Sequence, residues 1–133
     1  MNRFLKISLL IVGVIVIMLG MEVKHRMDIY DQIKQEELKN AHSKEAVDIY
    51  EQELKWLDPN ALTNEGTIKS YSIDLDSITL NPMGGFSIHL IINDDPDIYL
   101  RVGLGRYDLE GNLEIASNYR SEKLEKLLKG VER

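Results

Sequence analysis

Ser87 and His89 stand two apart in the segment FSIHLIIN. On an extended strand they share a face, and a hydroxyl beside an imidazole is the start of a nucleophile and base pair. The pair stops there. No G-x-S-x-G elbow surrounds Ser87, and no third group orients His89. Asp74 and Asp76 are spaced as paired carboxylates, but acid–base work needs a cleft that shifts one pKa. Their context reads instead as a turn between strands. Asn93-Asp94-Asp95-Pro96-Asp97 concentrates oxygen donors, yet it lacks the spaced ligands and central glycine of an EF-hand loop. It reads as a solvated hairpin loop. His25, His42 and His89 are too scattered to share a metal. Zero cysteines remove thiolate ligands, thiolate nucleophiles and disulfides together. The expectation is a non-enzyme with no catalytic residue, no cofactor and no metal.

What remains is binding chemistry, and the strands decide where it sits. Phe86, Ile88, Leu90 and Ile92 alternate along one segment; Ile98, Leu100, Val102 and Leu104 alternate along the next. Opposed residues of an antiparallel pair share a face, and a slip of one flips every side chain. For both apolar sets to face one core, Ile92 opposes Ile98, Leu90 opposes Leu100, Ile88 opposes Val102 and Phe86 opposes Leu104. The loop is then Asn93 to Asp97. The same register sets His89 opposite Arg101 and Ile91 opposite Tyr99 on the second face. His89, Tyr99 and Arg101 are the candidate binding residues, provided the C-terminal helix leaves that face open.

The neighbouring elements follow from period and punctuation. Residues 22–42 are rich in Glu, Gln, Lys and Leu without Gly or Pro, which favours a helical stalk. Ser43 can cap a further helix whose apolar positions Val47, Tyr50, Leu54 and Leu57 repeat at helical spacing. Trp56 is expected as a core anchor of that helix. Asp58-Pro59 ends it, because the residue before proline is pushed out of helical geometry. Thr67 to Ile73 reads as a strand and Ser77 to Leu80 as a short second one. Asn81-Pro82-Met83-Gly84-Gly85 is hairpin chemistry. Gly103 and Gly105 suggest a bulge. Beyond it, Leu113 is expected near Leu109 and Ile115 near Tyr107, across a turn at Glu110-Gly111-Asn112. Ser121 caps a last helix, Glu122 to Lys129, with Leu124, Leu127 and Leu128 as its stripe. The fold class is α+β: a small antiparallel sheet of four to five strands against helix, with a C-terminal helix.

Ahead of all this lies Ile7 to Met21, fifteen uncharged and mostly aliphatic residues. A hydrocarbon core needs about 20 helical residues, which Phe4 to Val23 supplies if Lys6 snorkels to the headgroups. A signal peptide competes, but bulky Met18 occupies the position where a cleavage site at Gly20 needs a small residue. The reading is a retained single-pass anchor in the cell membrane, residues 1–23, then a stalk over 24–42 and a domain over 43–133. Arg3 and Lys6 favour a cytoplasmic N-terminus, while Lys24 and Arg26 oppose it.

Only Arg3 and Lys6 of the 16 bases, and none of the 22 acids, precede Met21. The remainder is therefore two charges more negative than the chain's −6. Such a domain is a poor nucleic-acid ligand, since phosphate contacts need clustered Lys and Arg, and anionic headgroups repel it.

Asp58-Pro-Asn-Ala-Leu-Thr63, Ile68-Lys-Ser-Tyr-Ser-Ile-Asp74, and Asn81-Pro-Met-Gly-Gly-Phe86 before a strand ending Ile91-Ile-Asn93 occur in this order behind a basic, then aliphatic, segment. Together they resemble a family of small Gram-positive bacterial proteins catalogued as domain of unknown function 1310. The resemblance implies a short membrane-associated protein with an extracytoplasmic domain and carries no catalytic residues over. The expected role is a membrane-anchored binding module, non-catalytic, meeting a protein partner at the cell surface. The alternative is an accessory or structural subunit of a membrane protein complex, whose work would depend on its own anchor.

Overall fold

The computed structural model describes residues 2–130. The expected start of the anchor at Met1 and end of the domain at Arg133 lie outside them. The chain divides into two compact units, Met1–Gln35 and Glu36–Arg133.

The first unit is helix. It forms most of α1, Arg3–Ala41, an uninterrupted element of 39 residues. Anchor and stalk sequences are thus one helix. It is long and apolar enough to cross a membrane, and its apolar window is wholly exposed.

The second unit is α+β. Helix α2, Lys44–Leu57, starts where the Ser43 hydroxyl accepts from the Ala46 amide at 3.2 Å, meeting one of the donors that a helix start leaves orphaned. It stops at Asp58, extended at φ −141° and ψ 107°, as a following proline demands. Ala46, Tyr50 and Leu54, four residues apart, form its buried face. The Tyr50 hydroxyl donates to the Ala41 carbonyl at 2.8 Å; burial pushes that phenol above its usual range. Trp56 does not anchor the core. It is 74% exposed, because two steps beyond Leu54 is about 200° around the helix.

The sheet is a four-stranded antiparallel meander: β1 Tyr71–Leu80, β2 Phe86–Ile92, β3 Asp95–Gly105 and β4 Glu114–Arg120. The two short strands expected at residues 67–73 and 77–80 are one strand, shortened at its start. The amides of Thr67 and Ile68 are taken by the carboxylate of Asp58, and those of Lys69 and Ser70 by Asn93 Oδ1, so none is free for a ladder. Asp74 and Asp76 lie within β1, not in a turn between strands. Pairing runs from Asp74 opposite His89 to Thr79 opposite Ser87, so Leu75 to Ile78 make an excursion. Ser77 bridges it, accepting from the His89 amide and donating to the Asp74 carbonyl.

The β2/β3 register is the expected one from Phe86 opposite Leu104 to Ile91 opposite Tyr99. Its end differs: Ile92 opposes Asp95, not Ile98. Asn93 and Asp94 both take positive φ, 53° and 58°. That makes a two-residue turn of the hand strand twist prefers in place of the expected five-residue loop. Asn93 thereby also aims its side chain at residues 67–70.

The β3/β4 register also differs from expectation. Ile115 opposes Leu104 and Ser117 opposes Gly103, so the extra residue, Ala116, is on β4. Strand β3 ends at Gly105 because the next segment has other partners. Arg106 reaches Glu45 and the Gly111 carbonyl, and the Leu113 amide donates to Glu45 at 2.7 Å. That amide and the Arg106 guanidinium hold the Glu45 carboxyl below the usual range.

Helix α3, Glu122–Leu128, begins at Ser121, whose hydroxyl accepts from the Leu124 amide. Leu124 and Leu128 join Tyr50, Leu54, Ile68, Phe86, Ile88, Leu90, Ile92, Leu100, Val102 and Leu104 in one buried cluster. Both domain helices therefore bury their apolar residues in the core on one side of the sheet.

Candidate functional site

The other side carries a cross-strand row: Asp74 on β1, His89 on β2, Arg101 on β3 and Tyr119 on β4, each opposite the next. A second row sets Ser72, Ile91 and Tyr99 side by side, and a third Ser87, Gly103 and Ser117. Residues two apart on a strand share a face, so these rows form one surface.

His89 and Tyr99 are diagonal neighbours, with ring centroids 4.4 Å apart and planes within 12° of parallel. Such a diagonal is within reach of aromatic side chains. Arg101 is exposed and Tyr119 is 61% exposed, while His89 and Tyr99 are half-buried. Gly103 keeps the third row low. A Cβ there would stand 2.5 Å from the Ser117 hydroxyl.

Burial lowers the His89 pKa, the Arg101 charge lowers it further, and Asp74 opposes both. The imidazole is therefore neutral at pH 7, one nitrogen donating and the other accepting. The surface offers an imidazole, a guanidinium, two phenols and a carboxylate on a rigid sheet. Aromatic and Arg residues of this kind dominate the energetics of protein interfaces.

Other chemistry on the chain is differently placed. Ser87 and His89 share this face, yet among the described residues they form no hydrogen-bonded relay with Asp74. Asp95 and Asp97, of the acidic segment after Ile92, lie within salt-bridge distance of Lys123. No group of three metal-ligating side chains occurs among the described residues. An open cavity of about 530 Å³ lies beside Asn118, Tyr119, Arg120, Glu122 and Glu125, within the usual range of ligand sites, and a smaller one of about 180 Å³ lies beside Asn40, Gly84, Gly105 and Tyr107.

The hairpin register brings His89, Tyr99 and Arg101 together. The sequence reading missed Asp74 and Tyr119 on the same surface. Tyr119 was signalled by the polar alternation of Ser117 and Tyr119 continuing from Arg101; Asp74 was hidden by the excursion after it.

Fold and surface define a small α+β domain carried behind a long apolar helix, with one sheet face covered and the other open. The chain belongs to the family described as Protein of unknown function (DUF1310), whose model matches residues 7–127. Comparison with curated proteins and with solved structures gave no match.

Proposed function

We propose that this protein is a single-pass, membrane-anchored binding module, non-catalytic, with its domain outside the cytoplasm. Its partner is a protein at the cell surface, met by the open sheet face of His89, Tyr99, Arg101 and Tyr119. One observation carries the reading. Both domain helices bury their leucines on the same side of the sheet, leaving a surface of aromatic and charged groups without cover. The apolar window of α1 supports the anchor.

A photo-crosslinking residue placed at Tyr119 in living cells tests this. A discrete protein adduct is expected there and not from the same probe at Lys69, which lies outside the sheet face. Tyr99→Ala with Arg101→Ala should abolish the adduct while the melting temperature stays within a few degrees. An adduct that survives both substitutions rejects this face. Protease treatment of intact cells tests the side: cleavage of the domain from outside is expected, and full protection rejects outward display.

A further inference from the structure

Helix α1 carries a second unpartnered surface, and its spacing is specific. Gly13, Val16, Gly20, Val23, Met27 and Tyr30 follow one another at intervals of 3, 4, 3, 4 and 3. That is the seam of a coiled coil, one apolar position every 3.5 residues. Val16, Val23, Met27 and Tyr30 are each more than half exposed. Lys34 and Glu37 occupy the next two seam positions, so the apolar seam closes after Tyr30. Its part beyond the anchor is flanked by Arg26 on one side and Asp31 on the other.

We propose that α1 pairs with α1 of a second copy of this chain, parallel and in register, along the Gly13 to Tyr30 seam. The proposal rests on the anchor reading, because two copies anchored alike in one membrane must point the same way. In that geometry the residue just before a seam position of the Gly13, Gly20, Met27 series faces the partner's residue five places further on. Arg26 therefore faces Asp31 of the second copy, and the symmetric pair repeats the contact. The charges are complementary only in this register; a shift of one heptad brings Arg26 opposite Leu38 or Lys24. Within its own helix Arg26 now bridges exposed Glu22 at 2.9 Å, a contact of small worth at the surface. Gly13 and Gly20, seven apart, let the backbones approach in the lipid, where association depends on close packing.

The chain has no cysteine, so single-cysteine variants of the full chain in phosphatidylcholine vesicles read the seam directly. Val23→Cys, Met27→Cys and Tyr30→Cys should give about fivefold more disulfide-linked dimer than His25→Cys, Ile29→Cys and Gln32→Cys. Arg26→Asp or Asp31→Arg alone should reduce the Met27→Cys dimer severalfold, and the two together should restore it. The exchange cannot restore the Glu22 contact, so recovery reports the pair between copies. Equal crosslinking at all six positions, a maximum on another face, or no recovery in the exchange overturns the proposal. So does an adduct in native membranes whose mass is not twice the chain's. An alkaline carbonate wash keeps the two readings apart. Release of the chain from the vesicles sinks the anchor; retention with flat crosslinking sinks the pairing alone.

Discussion

The imidazole of His89 lies on the phenol ring of Tyr99, 4.4 Å between centroids and 12° from parallel, with the Arg101 guanidinium on the neighbouring strand and Asp74 opposite on β1. Burial and Arg101 disfavour the imidazolium, and Asp74 offsets them only in part. The folded pKa is therefore below the unfolded one. Between the two the unfolded chain binds more protons, so stability falls as pH falls. The stability is whole above the unfolded value of about 6.5 and is lost down to the folded value, below which this group adds no slope. Melting curves of the full chain in detergent, recorded from pH 7.5 to 5, should show a steeper decline for wild type than for His89→Gln. Parallel curves would remove His89 as a source of pH dependence.

The turn between β1 and β2 separates two kinds of glycine cost. Gly84 has φ +99° with open space where a Cβ would stand; Gly85 has φ +84° and would place a Cβ 2.1 Å from the Leu104 carbonyl oxygen. Gly84→Ala meets only backbone strain, about 1–2 kcal/mol. Gly85→Ala meets the strain and a clash with β3, so it should cost more than about 3 kcal/mol. Urea unfolding of the two variants measures the difference, and equal losses would contradict the close approach.

Helix α2 sets its largest apolar residue outside. Trp56→Ala should change stability by no more than about 0.5 kcal/mol, as surface substitutions do. Leu54→Ala, two residues away and fully buried, should cost about 2–5 kcal/mol. Thermal unfolding of both reads the contrast; a large loss for Trp56→Ala would mean that the indole has a partner. The lesson is one of period. The helical spacing of Ala46, Tyr50 and Leu54 was legible, and taking that period strictly would have set Trp56 on the far side.

Legibility elsewhere depended on whether partners were local. The β2/β3 register, and with it the meeting of His89, Tyr99 and Arg101, followed from alternation on two adjacent strands, because a wrong parity would bury the polar set. The start of β1 and the β3/β4 pairing did not. Each is decided by a side chain far along the chain: Asn93 capturing the amides of Lys69 and Ser70, and Glu45 capturing Arg106 and the Leu113 amide. Such contacts leave no periodic trace. The same holds for Asp74, whose opposition to His89 depends on the Ser77 bridge.

Asp58 concentrates the most consequence of these distant contacts in one side chain. It is 2% exposed, accepts from Asn60 through one oxygen and from Thr67 and Ile68 through the other, at 2.8–3.1 Å. It therefore folds the loop that follows α2 and seats Ile68 in the core. Asp58→Ala leaves backbone donors without partners, each worth about 1–3 kcal/mol when buried, so a total loss of about 3–5 kcal/mol is expected. Asp58→Asn keeps one acceptor oxygen but points an amide donor at amides, and should recover less than half of that. Urea unfolding gives both values. Hydrogen exchange locates the effect: the Thr67 and Ile68 amides should lose protection in both variants, while the Leu90 and Leu100 amides in the central strands should change only with global stability. Protection of Thr67 and Ile68 that survived in Asp58→Ala would show that the loop is held by something other than this carboxylate.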